Sequence, residues 1–281
     1  MHKTWVSAAE LAAHLGDPGW LVFDCRHDLS DTGYGERAYA GGHIPGAQFL
    51  HLDRDLSAER TGSNGRHPLP DREAFAGRLA ACGVGAQTQV VAYDNEGSVF
   101  AARLWWMLRW IGHDRVAVLD GGLPGWRRAR LALDAALPCP AAAPLASHPG
   151  VVPVGTGDVL ARLGDPRALL LDARPPERFS GEAEDRDPVA GHIPGAVNRP
   201  HYDNLDDAGI FVRPAAELRA EFDELLAGRD PADVIHHCGS GVTACLNLLA
   251  MECAGLPGSR LYAGSWSEWC ADPVRPFVVG A

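Results

Sequence analysis

The sequence predicts an α/β protein of two tandem homologous domains, each a mainly parallel sheet with helices on both faces. Three observations lead there. At ~150 residues per domain, 281 residues amount to about two domains. The chain carries an internal repeat. Each half alternates short apolar runs with stretches of helical period, the pattern of strand, crossover helix and strand.

The repeat is direct. Residues 6–26 lie on residues 154–174 without a gap and match at nine positions, ending in Asp24-Cys25-Arg26 and Asp172-Ala173-Arg174. The hexapeptide Gly-His-Ile-Pro-Gly-Ala occurs at 42–47 and again at 191–196. Further on, Leu119-Asp120-Gly121-Gly122-Leu123-Pro124-Gly125-Trp126 answers Tyr262-Ala263-Gly264-Ser265-Trp266-Ser267-Glu268-Trp269. Between the halves, 135–152 is rich in Ala and Pro and poor in charge. Proline fixes φ and removes a donor, so this stretch suits an extended surface connector. The expected division is therefore 1–134, a linker 135–152, and 153–281.

From the N-terminus, Met1 to Ser7 leads into Ala8-Ala9-Glu10-Leu11-Ala12-Ala13-His14 with no long apolar stretch or cleavage-type ending, so it reads as the first helix of a mature domain. The runs Trp20–Phe23, Val90–Tyr93 and Val116–Leu119 are short, continuous and closed by Asp or Gly, as strands buried on both faces should be. Phe100, Leu104, Met107, Leu108 and Ile111 repeat with helical period between the last two strands. The second half repeats the scheme with 168–171, 234–237, and a helix carrying Leu246, Leu249, Ala250 and Cys253.

Composition narrows the function classes. With 46% hydrophobic and 22% charged residues the chain is ordinary for a globular protein, and nothing calls for a membrane. A formal charge of −11 would repel a phosphate backbone, so nucleic acid is a poor partner. Seven cysteines, an odd number with no Cys-x-x-Cys, argue against a disulfide framework and a zinc ribbon and suit reduced thiols in the cytoplasm.

In open α/β sheets ligands bind at the carboxyl ends of strands, which points to Cys238-Gly239-Ser240-Gly241-Val242-Thr243-Ala244. Two glycines permit backbone conformations that a Cβ forbids, and Thr243 is placed to cap the next helix. Such a turn can aim successive N–H groups inward as an anion nest with a helix dipole behind it, and a thiolate is an anion. The alternatives are a small core cysteine at a strand end and a metal site from His236, His237 and Cys238. The metal reading is disfavoured because adjacent strand residues face opposite ways. A phosphatase would need an arginine where Ala244 stands. The matching loop of the first half places Asp94 where Cys238 stands, and a carboxylate cannot be a sulfur nucleophile, so only the second half is expected to be catalytic.

The duplicated Asp-x-Arg and Gly-His-Ile-Pro-Gly-Ala, the single Cys loop and Gly-Ser-Trp-Ser-Glu-Trp together resemble two-domain rhodanese-type sulfurtransferases over nearly the whole chain. The resemblance implies a first, inactive rhodanese-like domain and a second one whose cysteine forms a persulfide. The loop Cys-Gly-Ser-Gly-Val-Thr-Ala is similar to that of 3-mercaptopyruvate sulfurtransferases, whereas thiosulfate-preferring members carry basic residues where this chain has Gly239 and Ser240. It further implies that Arg178 and Arg186 hold the substrate's carboxylate and keto oxygen, a task suited to a guanidinium fork; without it, both would read as surface charges paired with Glu182, Glu184 and Asp185. Asp53 and His67 match residues that assist at the domain cleft, by relaying a proton or polarising substrate, or else serve structure alone. His43 and His192, present in both repeats, read as loop-fixing residues, and Trp126 and Trp269 as core. Cys245 suits burial better than service as a resolving thiol.

The expected chemistry moves sulfur from 3-mercaptopyruvate through a Cys238 persulfide, stabilised by residues Gly239, Ser240, Gly241, Val242 and Thr243, to thioredoxin, a small thiol or cyanide, with no cofactor or metal. The rivals are the same machinery using thiosulfate, and a non-catalytic sulfur carrier.

Overall fold

The computed structural model describes residues 1–280, which form two compact units. Neither is a contiguous half. The first comprises Met1–Ala58, Leu69–Val151 and Leu205–Val212; the second comprises Glu59–Pro68, Val152–Asn204 and the chain from Arg213 onward. A single cut at 135–152 therefore misassigns two short segments. Glu59–Pro68 follows its side-chain partners into the second unit, where His67 meets Ser240. Leu205–Val212 goes the other way, the Val212 N–H donating to Asp120 Oδ1 at 2.9 Å.

In the first unit β1 (Trp5–Val6), β2 (Trp20–Asp24), β3 (Gln48–Phe49), β4 (Gln89–Tyr93) and β5 (Val116–Leu119) form one sheet in the order β1-β5-β4-β2-β3, every pair parallel. The expected strands lie within these bounds or one residue short of them. Six helices accompany them: α1 (Ala8–Ala13), α2 (Tyr34–Ala40), α3 (Leu52–Asp55), α4 (Arg72–Ala81), α5 (Val99–Trp110) and α6 (Gly122–Arg128). Ser7 and Asp71 start α1 and α4 by accepting the N–H of Glu10 and Ala74. The periodic apolar residues of α5 suggested one buried face; in fact all its residues but Arg109 are buried, as a helix apolar all round must be. Part of that cover is the connector itself. It has no regular structure and is tied down by bonds from the N–H groups of Ala143, His148 and Val151 to the carbonyls of Ala80, Ile111 and Arg109. Gly150 permits this approach, because a Cβ there would lie 1.8 Å from Arg109 O.

The second unit repeats the plan with α7 (Thr156–Arg162), β6 (Leu169–Asp172), α8 (Pro176–Ser180), β7 (Val197–Asn198), α9 (Ala215–Leu226), β8 (Val234–His237), α10 (Ala244–Cys253), β9 (Arg260–Leu261) and α11 (Ser265–Trp269). Its sheet order is β7-β6-β8-β9, all parallel, and an isolated parallel bridge from Val154 to Tyr262 stands where β1 pairs with β5 in the first unit. The cores correspond position by position: Val6, Leu11, Val22, Ile44 and Trp126 in one, Val154, Val159, Leu170, Ile193 and Trp269 in the other. No helix among the described residues is long and apolar enough to cross a membrane.

Both duplicated motifs have one structural explanation. Arg174 grips Asp172 with Nε (3.0 and 3.1 Å) and Nη2 (2.7 Å), and Nη2 also donates to Gly191 O at 2.8 Å; Arg26, Asp24 and Gly42 O do the same. Each buried Asp-x-Arg thus anchors the start of its Gly-His-Ile-Pro-Gly-Ala turn. The histidines finish the job. His192 stacks on Phe179 at 3.8 Å with Nδ1 bonded to Phe179 O, and His43 does so on Tyr39.

Candidate active site

Cys238 leaves the carboxyl end of β8, and residues 239–243 wrap into α10. The turn of chain leading into α11 fixes this loop from behind. Trp266 N–H donates to Cys238 O and Ser267 N–H to Gly239 O, both at 2.9 Å, while Cys238 N–H donates to Ser265 Oγ at 3.1 Å. Ser265 achieves this in the left-handed region (φ 54), sparsely populated for a residue with a Cβ, and its own hydroxyl donates to Tyr262 O. The first unit has Gly122 (φ 51) at the matching position, where a Cβ would lie 2.5 Å from Asp94 O. Holding the carbonyls away leaves N–H groups to turn inward: the Gly241 N–H donates to Cys238 Sγ at 3.2 Å. Gly241 is obligatory, with φ 74 and a notional Cβ 2.2 Å from Ala263 O. Thr243 departs from expectation. It stands at the N-cap position of α10 but with helical backbone (φ −66, ψ −25), and its side chain makes no capping bond.

His67 reaches the loop, its Nδ1 lying 2.7 Å from Ser240 Oγ, and both residues are buried. Its neighbour Arg66 was not singled out from sequence, yet it is part of the site. A Cβ built on Gly239 would meet Arg66 Nη2 at 2.6 Å and Arg178 Nη1 at 3.3 Å. Arg178 Nη2 donates to Glu184 Oε1 at 2.6 Å and to Asp187 Oδ2 at 3.1 Å, and Arg66 Nη1 donates to Asp187 Oδ1. Burial works against the charge on Arg178, but its bond to Glu184 and the fields of Glu184, Asp187 and Cys238 raise its pKa regardless. Sequence alone suggested Glu184 as a surface partner of arginine, whereas the Glu184 and Asp187 side chains are only 3% exposed. Nothing in the local pattern around Arg66 marked it, because its partners lie more than a hundred positions away in the chain.

Arg186 is more open: its side chain is 41% exposed and lies 3.7 Å from Asp185, while its backbone N–H donates to Glu184 Oε1 at 3.0 Å. Asp53 belongs to the first unit, where its N–H donates to His51 Nδ1 at 3.0 Å. There His27, His51 and Asp53 offer ligand atoms within 4.8 Å of one another. His51 already uses both ring nitrogens, on Asp53 N–H and Thr32 O, so the trio is better suited to hydrogen bonding than to holding a metal. His236 and His237 are fully buried, and burial pushes the His236 pKa down to about 3.

Asp94 occupies the Cys238 position of the first unit and fills its own nest. The carboxylate accepts the N–H groups of Glu96, Ser98, Phe100 and Ala101 at 2.8–2.9 Å, so an internal anion takes the donors that an external one would need. Among the other cysteines, burial pushes the Cys25, Cys82 and Cys270 thiols up, Cys270 to about 11, and Cys245 is buried with Sγ 3.4 Å from Gly241 O.

The model of the rhodanese-like domain matches residues 7–129 and 156–272. A Pseudomonas aeruginosa protein named "Probable 3-mercaptopyruvate sulfurtransferase" is 48% identical over 278 residues, 98% of each chain. An Arabidopsis thaliana protein named "Thiosulfate/3-mercaptopyruvate sulfurtransferase 2" is 34% identical, over 97% of this chain and 86% of that one. The crystal structure of SseA from Escherichia coli, described as a 3-mercaptopyruvate sulfotransferase with the rhodanese fold, superposes with a TM-score of 0.81 at 33% identity, covering 94% of this chain and 99% of that one. With two matching domains on two parallel sheets, and a cysteine loop on only one of them, this chain belongs to the rhodanese family.

Proposed function

We propose that this protein is a 3-mercaptopyruvate sulfurtransferase whose nucleophile is Cys238. The observation that carries the reading is the pairing of that cysteine, with the Gly241 N–H aimed at its sulfur, and a guanidinium, Arg178, beside Gly239. The likeness over the full length to a relative named for that activity supports it. In the first step the Cys238 thiolate attacks the donor sulfur. A sulfur–sulfur bond forms, the carbon–sulfur bond breaks, and its electron pair leaves on the pyruvate enolate, which takes up a proton to give pyruvate. Arg178 holds the donor carboxylate, with Arg186 at the exposed rim, and His67 with Ser240 supplies a hydrogen-bonded route for the proton. Loop groups from Gly239 to Thr243 stabilise the anionic sulfur. In the second step an acceptor thiolate, from a small thiol or a thioredoxin-like protein in a reducing cytoplasm, or cyanide, attacks the outer sulfur and releases Cys238 thiolate. Asp53 serves the His27 and His51 cluster of the first unit.

Intact-mass measurement after incubation with 3-mercaptopyruvate tests this directly. Wild type gains one sulfur atom, removable by cyanide as thiocyanate, and Cys238→Ser gains none; an unmodified wild type would leave a carrier or docking module. Thiosulfate as the preferred donor is the second reading, since the Arabidopsis relative's name includes both donors. A higher kcat/KM for thiosulfate than for 3-mercaptopyruvate would establish it.

A further inference from the structure

The first unit holds a cavity that the reaction at Cys238 does not use. Its volume is about 300 Å³, and its wall includes Arg26, Tyr34, Ala38, Gly42, Asn95 and Arg127 but no carboxylate. Its place in the sheet is informative, because Arg26 lies just beyond the end of β2 and Asn95 just beyond the end of β4. From β2 the chain goes on to β3 at one side of the sheet, and from β4 to β5 at the other. The cavity therefore opens at the carboxyl ends of the two strands where the winding reverses, the usual place for a ligand in such sheets. The Cys238 loop follows β8 at the corresponding reversal, between β6 and β8, in the second unit.

The duplicated arginines differ at this point. Arg174 uses Nε and Nη2 on Asp172 and Gly191 O, and its remaining nitrogen, Nη1, faces Glu184 Oε2 at 3.5 Å. Arg26 uses Nε and Nη2 in the same way, on Asp24 and Gly42 O, but its Nη1 has no partner among the described residues although the side chain is only 3% exposed. The three acidic residues of the corresponding stretch, Asp28, Asp31 and Glu36, are exposed and bond Ser30, Arg37 and Arg54 instead. A second polar atom of the wall is in the same position: Asn95 Nδ2 donates to Tyr34 Oη at 2.9 Å, while Asn95 Oδ1 is buried without a partner. A buried polar atom with no partner is costly, and two of them facing one cavity mark a place built for a polar guest.

We propose that this cavity of the first unit binds a small 2-hydroxycarboxylate, whose carboxylate meets Arg26 Nη1 as Glu184 meets Arg174 in the second unit. Asp24 already holds the Arg26 guanidinium in place, so binding orders no further side chain there. Arg127 is exposed on the cavity wall and makes no ion pair among the described residues, so it adds a second positive charge that draws anions in. A hydroxyl beside the carboxylate both donates and accepts, which suits Asn95 Oδ1 and the Tyr34 hydroxyl together. An amino acid fits less well, because its ammonium would share the cavity with two guanidinium groups. Asp24 and Asp94 are fully buried, and their oxygens are taken by Arg26, Tyr93 and the loop N–H groups, so neither competes for the guest's place. Every residue used belongs to the first unit, so the inference is independent of the donor reading.

Amide NMR spectra of the full chain titrated with lactate test this, since assigned resonances separate the first unit from the Cys238 loop. The Gly41, Gly42 and Asn95 signals should shift saturably with a Kd of about 1 mM. Propionate, which lacks the hydroxyl, should bind at least about threefold more weakly, and lactamide, which lacks the charge, should not saturate by about 20 mM. Arg26 anchors the turn at Gly42 and is left intact; the variants are Arg127→Gln, expected to weaken lactate about fivefold, and Ala38→Leu, which fills part of the cavity and should abolish the saturable shifts. Melting curves check that both variants are folded. Absence of saturable shifts in wild type, or shifts that persist unchanged in Ala38→Leu, would overturn the site. Lactamide binding as tightly as lactate would remove the role of the guanidinium, and sulfate binding more tightly than lactate would overturn the carboxylate as the ligand.

Discussion

Two glycines of the cysteine loop, Gly239 and Gly241, separated by Ser240, should respond to the same substitution in opposite ways. At Gly241 an added methyl meets backbone: φ is 74, and the Cβ would lie 2.2 Å from Ala263 O, roughly 1 Å inside ordinary contact. The left-handed backbone costs a residue with a Cβ about 1 kcal/mol. The overlap adds ~1–3 kcal/mol because neither partner is a side-chain tip that can swing away. Gly241→Ala should therefore lose about 2–4 kcal/mol and lower the urea midpoint of the second unit by about 1 M. Gly239 has no positive φ, and what its methyl meets are the free ends of Arg66 and Arg178, which can rotate aside. Gly239→Ala should cost less than about 1 kcal/mol and yet raise KM for 3-mercaptopyruvate about tenfold, since the methyl sits where the guanidinium edges converge. Urea unfolding followed by tryptophan fluorescence and circular dichroism, alongside donor kinetics, reads both effects. Equal destabilisation by the two substitutions, or an unchanged KM in Gly239→Ala, would refute the reasoning.

Asp94→Ala removes the acceptor for four backbone N–H groups, three of them buried, and should destabilise the first unit by about 2–4 kcal/mol, while a mass spectrum shows undiminished sulfur loading on Cys238. Ser240→Ala should lower kcat by about tenfold or more with little change in the melting curve, because it cuts the His67 contact without opening a large cavity. For pH, His236 stays neutral in the fold to about 3 but takes a proton near 6.5 when unfolded, so its stabilising contribution is full above about 6.5 and falls as pH drops toward 3. By pH 5 it alone should cost about 2 kcal/mol. Replacing it in His236→Leu should flatten the pH dependence of the unfolding free energy measured between pH 7 and 4.

The sequence by itself determined the repeat and the parallel sheets and singled out Cys238 as the candidate nucleophile, because each is written in contiguous residues. Buried strands are short apolar runs, and the cysteine loop has its two glycines within three consecutive residues of the chain. The difference between the halves was legible too, since Asp94 puts a carboxylate where Cys238 stands, at a position the repeat aligns. What only the tertiary structure decided is where the charged side chains go. Arg66 and His67 lie in the first repeat by sequence but belong to the second unit, as the segment from Glu59 to Pro68 finds its partners there. Arg178 and Arg186 look alike in sequence, being charges amid acidic residues, and only packing buries one against Gly239 and leaves the other exposed. Ser265 and Thr243 show the same limit on a smaller scale, one capping Cys238 from a left-handed backbone and the other making no cap at all. The physical reason is range. Backbone hydrogen bonds and apolar periodicity are set by near neighbours, whereas an ion pair such as Arg66 with Asp187 joins residues 121 positions apart and exists only once the chain has folded.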